Sequence, residues 1–151
     1  MHTYLSGRVV VDCADTAVAE TLVRAVTAEL TGRDPGPLHH SCPVCGSVEH
    51  GRPYVDAPVH VSVTHASGLT AVAVSRNGPV GLDLEADSDL EWVRREAVGK
   101  ALGVGLTDEH AVDPIWQSEV AIPGHVAVVA LVTEEAARAA ASRAATRRTV
   151  R

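Results

Sequence analysis

Asp83, Glu85, Glu96 and Lys100 set three acids beside one amine. They fall in one stretch, Val80 to Lys100, reading VGLDLEADSDLEWVRREAVGK. Asp83 and Glu85 stand two residues apart, and alternate residues of a strand share a face. Val80, Leu82 and Leu84 then point the other way, into a core. Trp92, Glu96 and Lys100 recur every four residues, so on a helix they share one side. Three carboxylates and a lysine could therefore meet in one cleft. Three oxygen ligands suit Mg²⁺, which usually keeps some water and binds substrate phosphates.

The secondary structure that carries these groups follows from periodicity. Val9, Val10 and Val11 mark a strand within residues 3–12. Asp15 or Thr16 is the expected cap of a helix over about 17–30, with Val18, Leu22, Ala25, Val26 and Leu30 as its apolar face and Gly32 as its stop. Residues 31–58 are rich in Pro and Gly and read as a long loop. Residues 59–65 alternate cleanly, 69–76 form another strand, and Asn77-Gly78 is a strong hairpin signal. Residues 59–85 are thus expected to be a three-stranded antiparallel meander ending at Asp83 and Glu85.

Ser88-Asp89-Leu90-Glu91 matches a capping box for a helix over about 89–102. Its core side is Leu90, Val93, Ala97 and Ala101, and Gly103 and Gly105 end it. Only Ala86 to Glu91 separate Glu85 from Trp92. Glu96 lies about 12 Å along the helix axis at 1.5 Å per residue. The helix must fold back across the strand if the carboxylates are to meet. Strands over 111–120 and 125–132 follow, joined at Ile122-Pro123-Gly124, and Thr133 caps an Ala-rich helix to about 146. The class is α+β, with a single domain over 1–146 and a basic, frayed tail over 147–151.

Composition narrows the functions. The chain has 151 residues, 46% apolar, with a formal charge of −6. It is globular, and the charge argues against nucleic acid as its main partner. The N-terminus lacks an apolar stretch of signal-peptide type, and no apolar run approaches the ~20 residues that span a bilayer. A soluble, cytoplasmic protein with no membrane partner is expected. Cys13, Cys42 and Cys45 are too few and odd in number for a secreted disulfide framework. Cys42 and Cys45 form a CxxC with His39, His40 and His50 nearby, a spacing that zinc could use. Adjacent His39 and His40 do not easily reach the same ion. Arg24 and Arg33 are candidates for a phosphate-facing edge, although such arginines are most often solvated.

Several segments taken in order resemble one family. They are Cys42-Pro-Val-Cys45-Gly46, His50-Gly51-Arg52-Pro53, Val61-Ser62-Val63-Thr64-His65-Ala66, Gly81-Leu82-Asp83-Leu84-Glu85, Trp92 through Lys100, and Gly103-Val104-Gly105-Leu106. Together they resemble the 4′-phosphopantetheinyl transferases of the surfactin-synthetase-activating type. The resemblance covers about residues 20–132. It implies Mg²⁺-dependent transfer of 4′-phosphopantetheine from coenzyme A to a serine of an acyl or peptidyl carrier protein, such as those of secondary-metabolite biosynthesis.

By position, the resemblance makes Asp83, Glu85 and Glu96 the metal ligands. Glu96 also takes the serine proton, and Lys100 stabilises the phosphate charge or protonates the leaving phosphate. Arg52 and His65 bind coenzyme A phosphates, with Thr64 helping. This chain departs from the family in three ways. The link between the GLDLE strand and the following helix is short in a family of two similar α/β halves, Arg95 replaces a lysine, and Ala66 replaces a serine. A homodimer would rebuild a missing half. Two alternatives stand beside this reading: a degenerate relative that binds coenzyme A or a carrier protein without turnover, and a zinc-stabilised binding module around Cys42 and Cys45.

Overall fold

The computed structural model describes residues 2–5, 9–15, 18–42, 45–104 and 114–150. The elements in chain order are β1 (His2–Leu5), β2 (Val9–Asp15), α1 (Ala19–Thr31), β3 (His39–Ser41), β4 (Arg52–Tyr54), β5 (His60–Ala66), β6 (Leu69–Ser75), β7 (Val80–Glu85), α2 (Leu90–Leu102), β8 (Trp116–Glu119), β9 (Val126–Leu131) and α3 (Glu134–Val150). The class is α+β, as expected. Its strands form three antiparallel sheets in the orders β1-β2-β6-β5, β3-β4 and β7-β9-β8. Among the described residues no helix is long and apolar enough to cross a membrane.

The expected meander does not form. β5 and β6 make a hairpin, with Val61 opposite Val74 and Val63 opposite Val72. β7 instead pairs with β9, placing Asp83 opposite Val128. Asn77-Gly78 therefore carries the chain from one sheet to another. Pro79 supplies the reason. It has no N–H to donate to β6, and its carbonyl accepts from Val132 N at 3.1 Å, which extends the β7–β9 ladder.

The two larger sheets face each other across a shared core. Val9, Val11, Ala71 and Ala73 come from one side, and Val80, Leu82, Leu84, Val129 and Leu131 from the other. α1 covers the outer face of the first sheet through Leu22, Val23 and Val26. α2 covers the outer face of the second through Val93 and Ala97, and α3 packs on the end of α2, where Ala137 and Ala140 meet Ala101, Leu102 and Val132. β5 also runs beside β7, where Ser62 Oγ accepts from Leu82 N at 2.9 Å and joins the sheets at that edge.

Several boundaries differ from the sequence expectation. α1 starts at Ala19 with Val18 as its cap and no side-chain cap bond; Asp15 ends β2, and Thr16 lies outside the described residues. Val23 and Thr27 are buried on α1, whereas Ala25 is exposed. Asp89 rather than Ser88 caps α2, its carboxylate accepting from Trp92 N at 2.8 Å. Val93, Ala97 and Ala101 do face the core, and Gly103 ends the helix in the left-handed region. Residues 111–113 and Gly105 lie outside the described residues. Thr133 caps α3 by accepting from Ala136 N at 3.0 Å. α3 continues through Val150, so residues 147–150 are helix rather than a separate tail.

Candidate functional site

The site is built where α2 crosses β7. Gly81 makes the crossing close: a Cβ there would lie 1.8 Å from the Ala97 carbonyl oxygen and 2.4 Å from Ala101 N. Only a residue without a side chain lets the helix lie on the strand at this point. Asp83 follows two residues on, and Lys100 hangs over it from α2. The short link over residues 86–89 is thus sufficient, because the helix folds back over its own strand.

Lys100 Nζ donates to Asp83 Oδ1 at 3.0 Å. Lys100 is the only lysine in the chain. Asp83 is 4% exposed, and its second oxygen, Oδ2, is buried with no hydrogen-bond partner among the described residues. A buried carboxylate oxygen without a partner is costly, so this one is a strong acceptor left open. Glu85 and Glu96 are half-buried beside it. Burial raises the Glu96 carboxyl above its ordinary value, and the negative charges of Asp83 and Glu85 add to this; Lys100 and Arg95 oppose it. Three carboxylates thus influence each other around one ammonium.

Arg52 enters from β4. It lines, with Pro53, Val61, Val63, Lys100 and Gly103, a cavity of about 260 Å³. Its guanidinium lies over Gly103 and donates to the Ala101 carbonyl, while its Nε is buried without a partner among the described residues. Burial lowers its pKa. Arg52 also borders a second cavity of about 350 Å³, shared with Leu102 of α2 and with Ala137 and Arg138 of α3. Arg52 and Lys100 therefore present two cations to one cleft.

The other expected contacts are placed differently. Thr64 is buried on β5, and His65 is exposed at its end, with Nδ1 hydrogen-bonded to Thr70 Oγ1 at 2.9 Å. Consecutive strand residues face opposite ways, so Thr64 and His65 do not point into the same space. Neither lines the Arg52–Lys100 cavity. Arg24 is committed to Asp34 at 2.5 Å and to Glu20 at 3.6 Å. Arg33 borders a separate cavity of about 960 Å³ beside Asp34, His39, Tyr54 and Asp56.

Sequence reasoning missed Gly81, Ser62 and Arg138. The glycine of GLDLE was legible as a residue but not as the point of helix contact. Ser62 stands on a strand of alternating pattern, with nothing local to mark its bond to Leu82.

A second constellation lies on the turn before β4. Among the described residues, Cys42, Cys45 and His50 are the only group of three or more His, Cys, Asp or Glu ligand atoms lying within 4.8 Å of one another. Asp83, Glu85 and Glu96 are not drawn that close. Cys45 Sγ is 3.2 Å from His50 Nε2. The Cys45 thiol is lowered to about 7, chiefly by the backbone N–H of Ser47 and then by the Cys42 and Arg148 side chains. His39 is turned elsewhere, its ring 5.3 Å from that of Tyr54.

No protein-family model and no curated protein sequence matches this chain.

Proposed function

We propose that this chain transfers 4′-phosphopantetheine from coenzyme A to a serine of an acyl or peptidyl carrier protein. The observation that carries the reading is Asp83: a buried carboxylate with Lys100 on one oxygen, no partner among the described residues on the other, and a cavity lined by Arg52 and by that same Lys100. The residues fit a divalent cation. Three carboxylates against one ammonium leave a surplus of negative charge, and the open oxygen of Asp83 is a hard donor of the kind Mg²⁺ takes. Asp83, Glu85 and Glu96 would hold the ion, which when bound neutralises charge on phosphate oxygens.

The chain's own residues supply the rest. Arg52 binds a phosphate through its planar guanidinium, and Lys100 offsets the charge that develops on the transferred group. Glu96 accepts the proton of the carrier serine, and its raised pKa brings it toward the pH at which a general base works best. Holding the pyrophosphate and the serine in line is the larger part of such a reaction. Thr64 and His65 do not line this cavity, and the proposed transfer rests on neither.

One observation favours a second reading, binding without turnover: the three carboxylates are not gathered within 4.8 Å, and Lys100 already occupies one Asp83 oxygen. The two readings separate in one experiment. The purified chain is incubated with apo carrier protein, coenzyme A and Mg²⁺, and the carrier is weighed intact. A gain of one phosphopantetheinyl group, lost in Asp83→Ala and Glu96→Ala, supports transfer. Coenzyme A binding without any gain supports the second reading. Transfer that survives both substitutions rejects the site.

A further inference from the structure

Cys42 and residues 45–51 have a geometry that the transferase reading does not use. Gly46 N donates to the Cys42 carbonyl at 2.8 Å, and Cys42 N donates to the Ser47 carbonyl at 2.9 Å. These two bonds fold the backbone back on itself and bring two sulfurs of a CxxC to one side. His50 closes on them from the far end of the turn, with Nε2 3.2 Å from Cys45 Sγ. Gly51 makes that return possible. It has φ +102°, and a Cβ on it would lie 2.4 Å from Cys42 Cα and 2.5 Å from Cys42 N. The chain thus brings His50 and Cys42 together at a point where no side chain fits.

We infer that Cys42, Cys45 and His50 bind one Zn²⁺ that clips this turn and fixes the base of β4, and with it Arg52. Two thiolates and an imidazole are a zinc donor set, and soft ligands select against Mg²⁺ or Ca²⁺. A tetrahedral ion with bonds of about 2.3 Å to sulfur and 2.0–2.1 Å to nitrogen spaces its ligands by roughly 3.5–3.8 Å. All three atoms already lie within 4.8 Å of one another, so binding asks for shifts of side chains rather than of the fold. Two thiolates cancel the charge of the ion. The fourth position is left to water, since Cys45 and His50 are exposed. The consequence is mechanical. β3 and β4 are three residues each, too short to hold a loop of this length without a further tie.

The test uses the full chain, expressed without a polyhistidine tag, reduced, and dialysed against Zn²⁺. Elemental analysis is expected to give about one zinc per chain. Replacement by Co²⁺ is expected to give thiolate-to-metal charge-transfer absorption. Cys45→Ser and His50→Ala are each expected to lose the metal, whereas His39→Ala keeps it. Cleavage after Glu49 by a glutamate-specific protease is expected to slow about tenfold or more in the zinc form, since a ligand that binds only the closed turn suppresses its opening. Zinc no higher than in a Cys42→Ser/Cys45→Ser variant overturns the inference, as does a Cys42–Cys45 disulfide that persists in reducing buffer. Loss of metal in His39→Ala with retention in His50→Ala overturns the ligand set. Unchanged cleavage at full zinc occupancy overturns the clip.

Discussion

Asp83 sits on a strand buried along nearly its whole length, with a helix pressed against its backbone at Gly81. Cys45 and His50 are exposed on a turn between two three-residue strands. Both places bring ligand-type side chains together, but the means are opposite. The carboxylate cleft is assembled by the core: Val93 and Ala97 of α2 pack on Val128 and Ala130 of β9, and Lys100 arrives over Asp83 as a result. The thiol turn has little apolar packing and relies on backbone hydrogen bonds. A site built by the core survives without its ligand. A turn built from hydrogen bonds in water needs the ligand to hold it, since each such bond contributes only ~0.5–1.5 kcal/mol net.

The contrast is broken most directly at Gly81. In Gly81→Ala the added methyl meets backbone atoms of α2, which cannot rotate away. The helix must lift from β7, at a cost of about 3–5 kcal/mol. The melting temperature should fall by roughly 10 °C or more for a chain of this size. A thermal melt within 2 °C or so of the parent would mean that α2 does not rest on β7, and the cleft would lose its frame. The next largest effect is expected at Lys100. Lys100→Met leaves Asp83 buried and charged without its cation. Losing a partner in a fully buried pair costs ~3–5 kcal/mol. Here the lysine side chain is 33% exposed, so roughly 2–3 kcal/mol is the better expectation. Adding Asp83→Asn to Lys100→Met should return most of the loss, because the buried charge is then gone. A double variant as unstable as Lys100→Met alone would show that the pair is not what Lys100 contributes.

The thiol turn should behave differently. In metal-free protein, Cys45→Ser alters an exposed side chain and should move the melting temperature by no more than about 1–2 °C. A large drop without metal would place Cys45 in the folded frame and erase the distinction between the two regions.

The difference in legibility between the two regions has the same origin. β7 and α2 could be read from local signals: alternation in VGLDLE, apolar spacing at Val93, Ala97 and Ala101, and a left-handed glycine stop at Gly103. What could not be read was which strand β7 joins. Asn77-Gly78 is a hairpin signal at the level of four residues. Pairing is decided by which neighbour completes the core, and β9 lies more than forty residues away in sequence. Caps failed for a related reason. Asp89 and Ser88 are both good caps by residue type, and the folded chain uses Asp89. His65 illustrates a third limit. Its partner Thr70 is set by the register of β5 on β6, and that register turns Thr64 and His65 to opposite faces. The thiol turn showed its cysteines in sequence, but choosing His50 over His39 required knowing that His39 stacks near Tyr54.

Glu96 gives the smallest effect, and the one whose sign is most informative. Its carboxyl is raised above its ordinary value of 4.5 by burial and by Asp83 and Glu85. A folded-state pKa above the unfolded one means the folded chain holds that proton more tightly. The associated stability is fully present below the ordinary value and is lost as pH rises through the raised one. At neutral pH the ionised Glu96 is therefore a net cost. Glu96→Gln removes the charge at nearly constant shape, so it should raise the melting temperature at pH 7 in chelator-treated protein, by roughly 1–2 °C for a half-exposed group. The gain should vanish on acidification below the ordinary value, where the parent is also neutral. A lower melting temperature in Glu96→Gln at pH 7 would show that attraction to Lys100 and Arg95 outweighs repulsion from the two acids. Adding Mg²⁺ then separates a cleft that binds a cation from a mere crowd of acids. The ion should raise the melting temperature of the parent more than that of Glu96→Gln, since it stabilises only the form that binds it. If Mg²⁺ moves both equally, Glu96 is not a ligand, and its raised pKa reflects crowding alone.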